Sequence, residues 1–195
     1  MPSDASSNRI GGLEALIAAQ ATKGAAPVEW WNPPYCGDIG LRIRSDGTWA
    51  YRNSPIGRPA LVKLFASVLR RDADGRHYLV TPVEKVDVAV DDAPFLAVEM
   101  EVQGSGRSQA LIFRTNVDDI VAAGPEHPLR FASEPETGGL KPYLLVRGRL
   151  EALVTRALAY DLAELAGAEE GRGLGLWSGG QFFRMPDGPF GDTGT

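Results

Sequence analysis

Few side chains in this chain are suited to covalent or metal chemistry. There is one cysteine, Cys36, and there are two histidines, His77 and His127. Zinc sites recruit such residues at short, characteristic spacings, and these three lie far apart, so the sequence predicts no metal site. A cysteine nucleophile also needs a neighbouring base or cation that lowers the thiol pKa. The nearest cations downstream of Cys36 are Arg42 and Arg44.

The stretch around Cys36, WWNPPYCGDIGLRI (residues 30–43), supports two interpretations. Cys36 could serve a thiol-dependent enzyme or a redox sensor. However, no histidine lies near it in the sequence, and a free cysteine is usually a buried, small hydrophobic side chain, which favours a structural role. Asp38 follows a glycine before a strand, where aspartate more often bonds to its own turn than to a ligand. The sequence therefore favours a non-catalytic protein without a cofactor.

The standard motifs of nucleotide-dependent and hydrolytic enzymes do not occur in the sequence. There is no Walker-type phosphate loop, G-x-S-x-G or H-E-x-x-H, and no G-x-G-x-x-G that follows a strand. The segment SPIGRPALVK (residues 54–63) could still hold an anion, because a loop that opens a helix presents unpaired N–H groups, and Arg58 adds charge. An ordinary capped helix with solvated cations is the alternative.

Charge is distributed unevenly along the chain. Residues 42–76 contain eight basic and three acidic side chains, whereas residues 84–101 contain one lysine and six acidic side chains. These segments could pair with each other within the molecule. Alternatively, the basic segment, which carries Trp49 and Tyr51, could face an anionic ligand with an aromatic ring, such as a nucleotide.

The overall composition limits the class of protein. A chain of 195 residues with 44% hydrophobic residues can bury a core, and its net charge of −5 argues against a long nucleic acid as partner. The N-terminus lacks the apolar region of a secretory signal, and no stretch is apolar enough to insert into a membrane. A single cysteine excludes an internal disulfide framework. These features predict a cytoplasmic protein.

Hydrophobic periodicity predicts an α+β fold with two similar halves. In the first half, GLRIR and TWAYR form a strand pair, an amphipathic helix follows within PALVKLFASVLRRD, and RHYLVTP and VEKVDVAV are strands. The second half is richer in strands, and RLEALVTRALAYDLAELAG is predicted to be its helix. Because PALVKLFASVL and EALVTRALAYDL occupy matching places, we expect a ββαββ motif that is used twice. LGLWSGGQFFRM is predicted to be a hairpin.

Several of these stretches, in the same order, resemble the bacterial domain-of-unknown-function family 1285 (DUF1285). The resemblance rests on NPPYCGDIGLRI, DGTWAYRNSPIGRPALVKLFASVLRRD, YLVTPVEKV, FRTNVDD, HPLR, PYLLVRGRLEALVTR and LGLWSGGQFF, which extend from about residue 32 to 183. It implies a duplicated α+β architecture whose C-terminal half is pleckstrin-homology-like. It also implies a nucleotide-like ligand between the halves and a role in signalling, whereas no enzymatic activity is established for that family.

We therefore expect a ligand-binding or signalling module for a small anionic molecule, with a thiol-dependent enzyme, a redox sensor or a protein-interaction adaptor as alternatives. The expected divisions are an N-terminal helix and polar lead (1–22), an N-terminal domain (23–83), a C-terminal domain (84–186) and a flexible tail (187–195). The last four of the expected ligand contacts are polar residues chosen from the DUF1285-like stretches. The contacts are Arg42, Arg44, Trp49, Tyr51, Arg58, Lys63, Glu84, Lys85, Arg114 and Asn116.

Overall fold

The computed structural model describes residues 4–21 and 26–186. The chain divides into two compact units, Met1–Asp92 and Ala93–Thr195. The predicted tail at 187–195 and the segment expected to end the first helix, at 22–25, lie outside the described residues.

Among the residues that the structure describes, the first unit is a six-stranded sheet with two α-helices. Its helices are α1 (Asp4–Ala21) and α2 (Pro59–Ser67), and its strands are β1 (Tyr35–Ile43), β2 (Trp49–Tyr51), β3 (Ser54–Pro55), β4 (Leu69–Arg71), β5 (His77–Val80) and β6 (Lys85–Val90). The strand order is β3-β2-β1-β6-β5-β4. β1 and β6 run parallel at the centre of the sheet, and the other neighbours are antiparallel.

The core of the first unit follows from the alternation of side chains in β1 and the apolar stripe of α2. Leu41 and Ile43 are buried, whereas Arg42 between them is exposed, as period-two alternation requires. α2 begins at Pro59, whose missing N–H is tolerated in a first turn. Its Phe65 is fully buried and packs against the ring of Trp49, with the ring centroids 6.1 Å apart.

In its described part, up to residue 186, the second unit contains another six-stranded sheet, one α-helix and a small third sheet. Its strands are β7 (Phe95–Gln103), β8 (Ala110–Thr115), β9 (Ile120–Ala122), β10 (Leu129–Ser133), β11 (Leu140–Arg147), β12 (Leu150–Val154), β13 (Gly167–Glu169), β14 (Gly173–Ser178) and β15 (Gln181–Arg184), and α3 is Arg156–Leu165. The large sheet has the order β10-β11-β12-β7-β8-β9, and β12 and β7 are parallel. β14 and β15 form the predicted hairpin around Gly179 and Gly180.

The two large sheets have the same topology. In each, the first three strands form one antiparallel meander, the last three form another, and the first and sixth strands are parallel neighbours. The protein is therefore α+β with two similar halves. A ββαββ order surrounds each helix, but the expectation that the two helices occupy matching places is wrong, because α2 connects the third and fourth strands of its sheet whereas α3 follows the sixth strand of the other.

The predicted helix in the second half is wrong at its N-terminal end. Leu150–Val154 forms β12, and the chain turns into α3 only at Arg156. Leu150, Ala152 and Val154 are buried and alternate with half-buried Glu151 and Leu153. Leu69–Arg71, expected to end the first amphipathic helix, is likewise the strand β4.

The boundary between the two units also differs from the expected domain boundary, which lies after residue 83. β6 follows that boundary, yet it is hydrogen-bonded to β1 and β5 of the first sheet. The first compact unit extends to Asp92 instead. The sequence does not show that β6 belongs to the first unit, because β6 pairs with β1, a segment far away along the chain.

Candidate functional site

Three arginines expected to contact an anion are bound by groups of the protein itself. Arg42 pairs with Asp91 at 2.7 Å, and Arg58 pairs with Glu14 of α1 at 2.5 Å. Arg44 donates a hydrogen bond to a backbone carbonyl oxygen at 3.1 Å. The first unit therefore uses these cations to satisfy its own acceptors.

The two aromatic residues expected to stack on a ligand differ in their surroundings. Trp49 is only 1% exposed, so the structure corrects its expected role: the ring belongs to the core around Phe65. Tyr51 is half-buried, and the guanidinium of Arg52 lies 5.3 Å from its ring centroid. Lys63 is exposed on α2.

The four residues chosen from the DUF1285-like stretches differ in their surroundings. Lys85 pairs with Asp72 at 3.0 Å, and Glu84 lines a cavity beside α1. Arg114 binds two carboxylates, those of Glu99 and Asp118. The side chain of Asn116 accepts a hydrogen bond from the backbone N–H of Leu96 at 3.0 Å, which is a structural role.

Cys36 and Asp38 behave as parts of a strand and its turn. Cys36 is exposed, so the expectation of a buried cysteine is wrong, and its thiol donates to the carbonyl oxygen of Pro34 at 3.5 Å. Asp38 accepts a hydrogen bond from the N–H of Gly40 at 2.7 Å, which confirms that it bonds to its own turn. Among the described residues, no group of three or more His, Cys, Asp or Glu side chains could hold a metal ion.

A network of ionic and aromatic side chains stabilises the beginning of β1 against β5 and β6. Asp87 is buried and accepts hydrogen bonds from the Tyr35 hydroxyl and from Arg76. The Tyr78 hydroxyl donates to Asp74 at 2.6 Å, and burial together with this bond raises the pKa of Tyr78 to about 12. Because each charge in this network has a partner, its arrangement is that of a structural cluster.

A cavity of about 220 Å³, which we call the α3 cavity, lies in the second unit between α3 and the β10–β11 hairpin. One face of α3 forms one wall through Arg156, Ala159, Tyr160 and Ala163, which recur at helical spacing. The sheet and the hairpin supply the other walls, which include Glu134, Leu140, Lys141, Leu153 and Val154.

The charged groups of the α3 cavity give it a positive balance. Lys141 and Arg156 are its cations and Glu134 is its carboxylate. Glu134 accepts a hydrogen bond from the Thr137 hydroxyl at 2.6 Å. A hydrogen bond to the hydroxyl of Tyr160 raises the pKa of Arg156, so this side chain stays protonated.

The beginning of α3 strengthens the attraction for an anion. Its first turn contains no acidic side chain, and Thr155 at the N-cap makes no side-chain hydrogen bond to the helix. Unpaired N–H groups and the positive end of the helix dipole therefore add to the charge of Arg156. Tyr160, which is 52% exposed, offers an aromatic face beside these groups.

Sequence reasoning missed Lys141, Arg156 and Tyr160. The available signal was the spacing of Arg156 and Tyr160, which places them on one face of a helix that starts after Thr155. Because the predicted helix begins several residues earlier, the sequence did not indicate that α3 starts at this point. Lys141 carries no such signal, because its proximity to α3 depends on the fold of the β10–β11 hairpin.

The chain matches known sequences over most of its length. The profile of the DUF1285 N-terminal domain, a domain of unknown function, matches residues 26–93, and that of the DUF1285 C-terminal domain matches residues 94–185. The chain therefore belongs to the DUF1285 family, as its motifs indicated. No curated protein matches it. Within the described residues, no helix is long and apolar enough to cross a membrane.

Two crystal structures of DUF1285 family proteins are similar to this chain. The one from Silicibacter pomeroyi DSS-3 is 52% identical, covers 87% of this chain and 93% of its own, and has a TM-score of 0.78. The one from Shewanella baltica OS155 is 28% identical, covers 65% of this chain and 91% of its own, and has a TM-score of 0.50.

Proposed function

We propose that this protein is a non-catalytic ligand-binding module that acts in cytoplasmic signalling and binds a small, nucleotide-like anion in the α3 cavity. The observation that carries the proposal is the convergence of Arg156, Lys141 and Tyr160 on one cavity at the start of α3. Two cations and helix N–H groups would contact a phosphate, and the tyrosine ring would stack on a base.

The proposal keeps the anionic ligand expected from the sequence and assigns it different contacts. The arginines first expected to bind it are engaged with Asp91, Glu14 and a backbone carbonyl. The proposal also keeps the pleckstrin-homology-like character expected of the C-terminal half. In that half, α3 comes directly after the last strand of the large sheet and packs against the same sheet.

The test is a thermal-shift and calorimetric titration of the full chain with inorganic phosphate, AMP, ADP, ATP and cyclic nucleotides. A ligand at 100 times its dissociation constant should stabilise the fold by about 2.7 kcal/mol. Arg156→Ala should weaken its binding by about 10- to 100-fold, because a charge-assisted hydrogen bond is lost.

The matched control is Arg149→Ala, which removes an exposed cation of the same unit that does not line the cavity. This variant should bind as the unaltered protein does. The proposal fails if no compound of the panel shifts the unfolding transition, or if Arg156→Ala and Arg149→Ala bind with equal affinity.

A further inference from the structure

A second cavity, of about 350 Å³, lies in the first unit beside α1, and we call it the α1 cavity. One face of α1 lines it through Arg9, Gly12, Leu13 and Leu16, which recur at helical spacing. Ile39 of β1, Val86 of β6 and Glu84, which directly precedes β6, complete the lining.

The walls of the α1 cavity are largely apolar. Leu13, Ile39 and Val86 are buried, with exposed fractions of 2%, 6% and 1%, whereas Leu16 is 40% exposed. When an apolar ligand group covers the exposed part of such a leucine, the free energy falls by roughly 25 cal/mol per Å² of apolar surface removed from water. The cavity therefore suits a ligand with an apolar body.

The cavity also carries one charge of each sign, those of Arg9 and Glu84. Among the described side chains, those of residues 9–19 and 26–186, neither Arg9 nor Glu84 has an ion-pair partner. A guanidinium is the best partner for a carboxylate, and a carboxylate accepts hydrogen bonds from an ammonium group. Opposite charges beside apolar walls are complementary to a small zwitterion that has an apolar body.

Gly12 keeps one part of the wall open. A glycine inside a helix costs about 1 kcal/mol relative to alanine. A Cβ atom built at Gly12 would meet nothing within 4 Å, so no neighbouring group requires a glycine at this position. Because Gly12 lines the cavity, a larger side chain there would take up volume that is now free.

We propose that the α1 cavity binds a free amino acid with an apolar side chain. The ligand carboxylate pairs with Arg9, its ammonium group pairs with Glu84, and its side chain packs against Leu16 and Ile39. This site is separate from the α3 cavity and requires no chemistry there.

The first experiment titrates the full chain calorimetrically with L-leucine, L-methionine and L-phenylalanine. It includes two analogues of leucine: 4-methylpentanoate, which lacks the ammonium group, and 3-methylbutylamine, which lacks the carboxylate. At least one amino acid should bind, and each analogue should bind about 10-fold or more weakly than leucine, because it leaves one charge of the cavity unpaired. Arg9→Gln should reduce leucine binding and leave 3-methylbutylamine binding unchanged.

The second experiment compares Gly12→Leu with Gly11→Leu. Both changes replace a helical glycine by a better helix former, and a Cβ at either position has open space. Only Gly12 lines the cavity, so only Gly12→Leu should abolish amino-acid binding.

The proposal is overturned if none of the three amino acids binds, if the analogues bind as tightly as leucine, or if Gly12→Leu binds as Gly11→Leu does. None of these outcomes bears on the anion site, since Arg156 and Lys141 lie in the other unit. Conversely, loss of nucleotide binding in Arg156→Ala would leave amino-acid binding intact.

Discussion

The guanidinium of Arg70 and the carboxylate of Asp72 form an ion pair of 2.6 Å, although their side chains are only 9% and 21% exposed. The same guanidinium donates hydrogen bonds to the carbonyl oxygens of Val28 and Trp31, at 2.6 and 2.7 Å. Asp72 also accepts a bond from Lys85. This pair therefore ties the tryptophan-containing segment before β1 to the sheet.

Removal of the Asp72 charge should destabilise the first unit. Asp72→Asn leaves the buried guanidinium of Arg70 without its counter-ion, and we expect a loss of about 2–4 kcal/mol in the free energy of unfolding, measured with urea. Asp91→Asn is the control, because Arg42 is exposed and such surface pairs contribute at most about 1 kcal/mol. Equal losses in the two variants would contradict the structural role of Asp72.

Acid should destabilise the protein in part through His77. Burial, with repulsion by Arg71, lowers the pKa of His77 to about 4, against about 6.5 when unfolded. The unfolded chain therefore binds the proton first, and stability falls as the pH drops from about 6.5 to 4, with no contribution above 6.5. We expect an effect on the order of 1 kcal/mol, because the ring is partly exposed.

The measurement for His77 is urea unfolding at several pH values between 4 and 8. His77→Phe cannot titrate and should show a smaller loss of stability over the acidic part of this range. The same pH dependence in both proteins would show that His77 is not responsible.

A methyl group at Gly175 should disrupt the small third sheet. Its Cβ would lie 2.3 Å from the carbonyl oxygen of Phe183 and 2.6 Å from the ring of Phe182. Gly175→Ala should cost about 1–3 kcal/mol or more, measured by thermal unfolding. Gly167, its register partner on β13, has open space at the Cβ position, so Gly167→Ala should not cause this loss.

Filling the α3 cavity should prevent anion binding without unfolding the second unit. Ala163 lines that cavity, whereas Ala157 is an exposed residue of α3 that does not. Ala163→Leu should abolish the thermal shift produced by a bound nucleotide, and Ala157→Leu should retain it. A normal unfolding temperature of the ligand-free variants would verify that the fold is intact, and retained binding in Ala163→Leu would argue against this cavity.

Much of the secondary structure could be predicted because its signals are local. The alternation around Leu41 and Ile43 and the paired glycines after Ser178 define β1 and the β14–β15 hairpin. The segment Leu150–Val154 was harder, since its apolar residues fit a helical stripe as well as a strand. Only its pairing with β11 and β7 decides between the two.

The candidate sites could not be predicted in the same way, because they depend on distant partners. Arg42 has the features of an exposed anion-binding residue until Asp91 is placed beside it by the pairing of β1 with β6. Conversely, Lys141 and Arg156 gain significance only because the β10–β11 hairpin lies next to α3. Charge in a sequence therefore indicates cations, and the fold decides which groups surround each of them.

The parallel pairing of the first and last strands in each large sheet has a mechanical consequence. If the two ends of one sheet are pulled apart, the force enters at the start of β1 and leaves at the end of β6, so it acts along both strands in opposite directions. The hydrogen bonds between them are then loaded in shear and must break together, whereas those of a hairpin would open one at a time. Each sheet is thus built to resist stretching at the strand pair through which its chain enters and leaves.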